Sequence, residues 1–177
     1  GGNGTVSFRN SAANSLTLAS GADMAGEYNL TTLSLSSANI RVNDSTTITV
    51  EELNTAGTNQ FFCQSTSYSL SITITAVAAN NLANLRVYNC GDVTITAGAS
   101  AKANAGTSMN FTSSLFQNNA TVTLPVPDGG SNFKSAQFFY NRGKIAIEAA
   151  AGSPAPLVLT SATFGGSSSG NKDIEVT

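Results

Sequence analysis

The sequence has no histidine and no tryptophan, and only 10% of its residues are charged. Without histidine the chain has no Ser–His or Cys–His catalytic pair, and it lacks a common metal ligand. Its two cysteines are too few for a four-ligand zinc site. It has no basic run to neutralise nucleic-acid phosphates and no run of about 18 apolar residues to span a membrane. We therefore expect no cofactor, no nucleic-acid partner and no membrane span.

Uncharged polar residues dominate instead, since the 177 residues include 44 Ser and Thr residues and 19 Asn residues. The hydrophobic share of 41% is nevertheless higher than in disordered chains. The length suits one domain. We interpret residues 1–177 as a single domain of an extracellular protein, either secreted or on a cell surface.

Several short segments alternate apolar and polar residues with a period of two, which is typical of half-buried strands. They are residues 48–50, 70–74, 93–95, 122–124, 145–147 and 174–176. No segment of about 12 residues carries an apolar stripe at helical spacing. The sequence therefore predicts an all-β fold.

Apolar residues also recur over a longer period. When the chain from Phe61 onward is written in lines of 24 residues, every line begins with a large apolar side chain. These residues are Phe61, Leu85, Met109, Phe133 and Leu157. A repeat of this length cannot bury its own apolar face and becomes stable by stacking on its neighbours. We predict a β-solenoid of about seven coils, with irregular coils at residues 1–60 and regular 24-residue coils at 61–177.

Two of these repeats carry a resemblance. Residues 109–119 (MNFTSSLFQNN) and 157–166 (LVLTSATFGG) are similar to repeats of pectate-lyase-like β-helices in bacterial surface adhesins and autotransporter passengers. The resemblance implies a right-handed parallel β-helix. The alternative is a pilin-like antiparallel β-sandwich, in which residues 4–8 would serve as a donated strand.

The 24-residue register predicts which side chains share a column of the core. The two predicted sets are Phe116, Tyr140 and Phe164, and Leu85, Met109 and Phe133. Stacked Asn residues would form amide ladders in the turns.

The spacing of Cys63 and Cys90 is one repeat plus three positions. A disulfide between them needs a corner near Cys90 that brings the two Cα atoms within about 7 Å. The spacing leaves open whether the two cysteines form a disulfide or remain buried thiols.

The missing catalytic groups favour a non-enzymatic structural protein, a solenoid segment of an adhesin, a surface fibre or a self-assembling filament. Its expected partners are other copies of itself, joined head to tail, with surface glycans as a second candidate. Unpaired strand edges would mediate this contact. The candidate edge residues are Val6, Phe8, Ile174 and Val176.

Three other functions stay open at this point. The first is a polymerising pilin-like subunit, and the second is a β-helix that binds or cleaves polysaccharide. The scattered acidic residues do not favour cleavage, because a paired-carboxylate site needs two acids close together. The third is an ice-binding β-helix with an outward Thr ladder formed by Thr47 and Thr49, Thr73 and Thr75, Thr94 and Thr96, and Thr121 and Thr123.

Overall fold

The computed structural model describes residues 15–139, 143–149, 155–165 and 174–177. Within these ranges the chain forms seventeen strands and one short helix. The elements in chain order are β1 (Ser15–Leu18), β2 (Gly21–Ser36), β3 (Asn39–Ala56), β4 (Asn59–Cys63), β5 (Leu70–Ile74), β6 (Ala79–Asn81), β7 (Leu85–Tyr88), β8 (Val93–Ala97), α1 (Ala99–Lys102), β9 (Ser108–Asn110), β10 (Leu115–Gln117), β11 (Val122–Val126), β12 (Ser131–Asn132), β13 (Gln137–Phe139), β14 (Ile145–Ala149), β15 (Leu157–Val158), β16 (Thr163–Gly165) and β17 (Ile174–Val176).

The long strand β3 is the branch point of a thirteen-stranded sheet. Its first part, Asn39 to Val42, pairs with β4, and its second part, Thr46 to Val50, pairs with β5. The sheet continues from there in two arms. The first arm is β4, β7, β10, β13 and β16, and the second arm is β5, β8, β11, β14 and β17.

A separate sheet, called here the third sheet, contains β6, β9, β12 and β15. From β4 onward, each strand therefore pairs with the strand three places later in the chain. Three consecutive strands form one layer, and each layer stacks on the next. The sheets curl into a half-barrel, and the arrangement is consistent with an all-β parallel solenoid.

Every strand pair in the described ranges is parallel. The alternative prediction of an antiparallel pilin-like sandwich is therefore wrong. Residues 4–8, the donated strand of that alternative, lie outside the described residues. Among the described residues, no helix has the length and apolar character needed to cross a membrane.

The alternating pattern positions the core as predicted. In β5 and β8 every second side chain is buried, and the residues between them are half-buried on the outer face. Leu70, Ile72 and Ile74 of β5 are each at most 1% exposed. The inward side chains of successive layers meet in columns, because parallel pairing sets equivalent positions side by side.

The step along the chain between paired residues varies from layer to layer. Ile40 pairs with Phe61, which is a short step, whereas Val87 pairs with Phe116, which is a longer one. The longer step contains α1, which is inserted between β8 and β9. Every step in the first arm from Phe61 to Phe164 differs from 24 residues, so the constant register predicted for residues 61–177 is wrong, because turn length and not strand length sets each step.

This variation changes which aromatic rings stack. Phe116 pairs with Phe138 and Phe138 pairs with Phe164, with ring centroids 5.5 Å and 5.0 Å apart. Phe138 thus occupies the place predicted for Tyr140, which lies outside the described residues. Phe116 and Phe164 share a column as predicted. The step from Phe116 to Phe138 is two residues shorter than the predicted 24, and the step from Phe138 to Phe164 is two residues longer, so the two differences cancel.

The second predicted column does not form. Met109 pairs with Ser131, and Leu85 pairs with Asn59. Phe133 instead stacks on Phe111, with parallel rings 4.8 Å apart. Offset stacking of this kind adds to the free energy gained from burying the rings.

We predict that Phe116→Ala lowers the free energy of unfolding by about 3–5 kcal/mol, because it removes a fully buried ring from the middle of a stack. Urea unfolding followed by circular dichroism measures this change. Phe62→Ala is the control, since Phe62 is half-buried on the outer face of β4 and should cost less. Equal losses in the two variants would contradict the stacked column.

Candidate functional site

Cys63 and Cys90 form a disulfide, with their Cα atoms 4.9 Å apart and both side chains fully buried. Cys63 ends β4, and Cys90 follows the next strand of the first arm, β7. The bond therefore joins two successive layers. Disulfides of this kind are typical of proteins that fold in an oxidising compartment.

The corner predicted near Cys90 is a single residue, Asn89. Phe62 of β4 pairs with Tyr88 of β7, so Cys63 lies opposite Asn89 and one position short of Cys90. Asn89 adopts a left-handed conformation with φ of 56°, which few residue types other than Gly, Asn and Asp tolerate well. Its Nδ2 donates a hydrogen bond of 2.8 Å to the carbonyl oxygen of Cys63. Asn89 thus turns the chain and fixes the two sulfur-bearing residues side by side.

A second repeated corner follows the strands of the third sheet. Asn81, Asn110 and Asn132 end β6, β9 and β12 and lie in register. The Oδ1 of each accepts a hydrogen bond from the N–H two residues later, at 3.3, 3.1 and 3.0 Å respectively. The Nδ2 of Asn110 also donates to Oδ1 of Asn81 at 3.0 Å. One amide–amide hydrogen bond therefore links two layers at the end of the third sheet.

Three residues beyond the last residue of β6, β9, β12 and β15, the chain has a residue with positive φ. These residues are Asn84, Ser113, Ser135 and Ser161, with φ values of 58°, 57°, 57° and 56°. Each is the third residue of a turn closed by a hydrogen bond between its first and fourth residues, as in type II turns. Serine is an unfavourable choice for this conformation, so three successive layers store backbone strain at the same corner.

A depression of about 180 Å³ lies beside the third sheet. Its lining is neutral and combines hydroxyl, amide and small apolar groups, namely Ser108, Met109, Asn110, Gly129, Gly130, Ser131, Asn132, Pro156 and Val158. Gly130 has φ of +95°, and a Cβ there would collide with the carbonyl of Pro156. Such a lining can exchange hydrogen bonds with hydroxyl-bearing ligands, but its residues contain no group that titrates near neutral pH.

The outer face of the second arm carries rows of hydroxyl groups. Thr47, Ser71, Thr94 and Thr123 are successive partners in one row, and Thr49, Thr73 and Thr96 are successive partners in the next. We call these seven residues the hydroxyl face. The predicted ladder is therefore present in shifted register, with Ser71 and Thr73 rather than Thr73 and Thr75 beside Thr47 and Thr49. Thr123 rather than Thr121 lies beside Thr94.

The hydroxyl face ends on one side at Ala146, the partner of Thr123, and on the other side at Glu27 and Asn29, the partners of Thr47 and Thr49. In the described part of the chain, Thr96 is the only one of the seven whose hydroxyl donates to a protein acceptor, the carbonyl oxygen of Ala97. The rows are thus neutral and regular, and most of their hydroxyls are available to solvent.

Charged side chains are dispersed in small pairs. Arg41 binds Asp23, with Nε and Oδ1 2.7 Å apart, and Lys144 forms an ion pair with Glu175. Asp92 accepts a hydrogen bond of 3.0 Å from the N–H of Thr121 through Oδ1. Within the described ranges no group of three or more His, Cys, Asp or Glu residues could hold a metal ion.

The last layer exposes side chains whose counterparts in earlier layers are buried. Leu159, Phe164, Ile174 and Val176 are 37%, 36%, 48% and 54% exposed. The residues paired with the last three in the preceding layer, Phe138, Ile145 and Ile147, are at most 1% exposed. We call these four exposed residues the apolar end layer.

The opposite end of the stack is different. Leu16 and Leu18 of β1 are 6% and 7% exposed, so the apolar side chains of the first described strand are covered. Two of the predicted edge residues, Ile174 and Val176, lie in the apolar end layer, whereas Val6 and Phe8 lie outside the described residues.

No family model, curated protein or solved structure matches this chain significantly. The resemblance to pectate-lyase-like β-helices therefore stays a prediction from the sequence pattern of the repeats.

Sequence reasoning missed the Asn corner, although a short signal marks it. The four-residue strings at 81–84, 110–113 and 132–135 all begin with Asn, continue with Leu or Phe, and end with Asn or Ser. The string at 158–161 keeps the second and fourth positions of this pattern but begins with Val. Unequal steps separate the four strings, so a search for one fixed period does not align them.

We predict that breaking the Cys63–Cys90 bond lowers the free energy of unfolding by about 3–4 kcal/mol, because it releases a loop closed by residues 27 positions apart. Urea unfolding with and without reductant measures the loss, and the double variant Cys63→Ala, Cys90→Ala should unfold alike in both conditions. A wild-type chain that is insensitive to reductant would count against a role of the bond in stability.

We also predict that Ser135→Gly raises the free energy of unfolding by about 0.5–1 kcal/mol, because glycine adopts positive φ without strain but loses more entropy on folding. Ser135→Val should lower it, since a β-branched side chain fits this conformation poorly. Thermal unfolding of the two variants provides the comparison. A destabilised glycine variant would show that the serine side chain matters more than backbone strain.

Proposed function

We propose that this chain is a non-enzymatic structural segment of an extracellular protein, such as an adhesin, a surface fibre or a self-assembling filament. In this proposal the layers are coils of a right-handed parallel β-helix. Parallel pairing of each strand with the strand three places later supports coils, and crossovers between parallel strands are right-handed in the great majority of proteins. The similarity of the repeats to those of surface adhesins supports the same function.

The disulfide and the surface composition support an extracellular location. A buried disulfide between successive layers is stable in an oxidising compartment. The outer faces of the second arm and the third sheet carry neutral hydroxyl and amide groups. Such faces withstand changes in pH outside a cell, because they hold few groups that titrate.

The apolar end layer is the observation that most directly supports the proposed structural function. Its strands β15, β16 and β17 each pair with a strand on one side within the described residues. Among the described residues no strand pairs with their other edges, and Phe164, Ile174 and Val176 lie exposed beside them. An edge that is both apolar and unpaired is a template for another strand.

We therefore propose that the apolar end layer receives the first layer of another copy, head to tail. The incoming strands would pair in parallel with β16 and β17. A head-to-tail contact of this type does not close on itself, so it grows into a filament.

The test compares Ile174→Lys with Val77→Lys. Both positions are exposed apolar side chains, 48% and 51% exposed, but Val77 lies in the turn after β5, away from the apolar end layer. Lysine on a strand edge hinders pairing with another strand. Sedimentation velocity over a range of concentrations, together with electron microscopy, follows the size of the assembly.

We expect the wild type and Val77→Lys to form a growing series of oligomers and Ile174→Lys to stay monomeric with an unchanged circular dichroism spectrum. A wild type that remains monomeric at high concentration would overturn self-association. Assembly that stops at a dimer would overturn the head-to-tail arrangement, because a closed pair joins two identical ends.

A further inference from the structure

We propose that the hydroxyl face binds ice. The face consists of Thr47, Ser71, Thr94 and Thr123 in one row and Thr49, Thr73 and Thr96 in the next. The proposal does not depend on self-association, since it concerns the outer face of the second arm and not the end of the stack.

The first argument is the spacing of the hydroxyl groups. Adjacent strands lie about 4.8 Å apart, and side chains on one face of a strand repeat about every 6.6 Å. The seven residues therefore form a two-dimensional grid that repeats in both directions. Water molecules on the growth planes of hexagonal ice repeat at similar distances, so a layer of water ordered by the grid can join the crystal.

The second argument is the chemistry of the grid. Each threonine offers a methyl group and a hydroxyl group side by side, so the face combines apolar area with groups that exchange hydrogen bonds with water. Within the described residues six of the seven hydroxyls have no protein partner, the exception being Thr96. The seven grid residues are uncharged, which complements the neutral surface of an ice crystal, and the charged side chain next to them in the first row is Glu27, the partner of Thr47 at the edge of the grid.

The third argument is rigidity. Ile48, Ile72 and Ile95 lie between the outward residues of β3, β5 and β8, and each is at most 1% exposed. Their stacked side chains hold the three strands in register beneath the grid. β-branched threonine also has few rotamers, so little side-chain entropy is lost when the face orders water.

A crystalline polysaccharide is the other regular neutral lattice that such a face could meet. Proteins bind sugar rings largely through exposed aromatic faces, and the hydroxyl face contains no aromatic residue. The large aromatic side chains Phe61, Phe111, Phe116, Phe133 and Phe138 are fully buried. The composition of the face therefore favours ice.

The test uses Thr73→Lys, which places a long charged side chain at the centre of the second row. Thr17→Lys is the matched control, because Thr17 is an exposed strand threonine of β1, outside the grid. Ile174→Lys is introduced into all samples, so that oligomer formation does not alter the number of grids per particle. Ice recrystallisation and the freezing–melting gap are measured on each purified protein, and circular dichroism checks the fold.

We expect the parent and Thr17→Lys to restrain ice growth equally and Thr73→Lys to lose this activity while keeping its fold. A parent protein that leaves ice growth unchanged at millimolar concentration would overturn the proposal. Equal activity of the two lysine variants would also overturn it. Co-sedimentation with microcrystalline cellulose and chitin is the parallel arm, and binding there without an effect on ice would assign the face to polysaccharide instead.

Discussion

Parallel pairing of backbone strands, layer on layer, is the constraint on which the rest of this structure depends. Once β4 pairs with β7 and β7 with β10, every inward side chain has a fixed neighbour in the next layer. A single layer cannot enclose its own apolar face, so its stability comes from these neighbours. The aromatic stack, the Asn corner and the hydroxyl rows all result from this parallel pairing of successive layers.

The turns at the corners determine the register between one layer and the next. The Oδ1 of Asn110 accepts a hydrogen bond from the N–H of Thr112 in the turn that follows, and its Nδ2 donates to Asn81 in the neighbouring layer. One side chain therefore both closes a corner and aligns two layers. Asn89 performs a related task beside the disulfide, where its amide binds the carbonyl of Cys63. Small polar side chains at turns therefore control register as much as the apolar core does.

Local alternation of apolar and polar residues locates the strand at residues 70–74 and the first three residues of the strands at 93–97 and 122–126, because burial on one face follows directly from strand geometry. The 24-residue pattern also indicated stacked layers. It could not assign neighbours, because turns and the inserted helix α1 change the step between layers without changing the strands. Phe138 and Tyr140 differ by two positions along the chain, and only three-dimensional pairing shows that Phe138 stacks on Phe116. The disulfide was left open for the same reason, since the sequence does not show which residue lies opposite Cys63.

The disulfide lies between the covered end of the stack and the exposed one. In a molecule whose layers contact only their neighbours, loss of structure spreads from an uncovered terminus, one layer at a time. The apolar end layer is such a starting point, because Phe164 and Ile174 are exposed whereas their partners in the preceding layer are buried. Fraying that advances from β17 toward β7 then meets a covalent link between two layers. The Cys63–Cys90 bond therefore limits how far the unfolding spreads. The first layers stay folded and serve as a template on which the others can re-form.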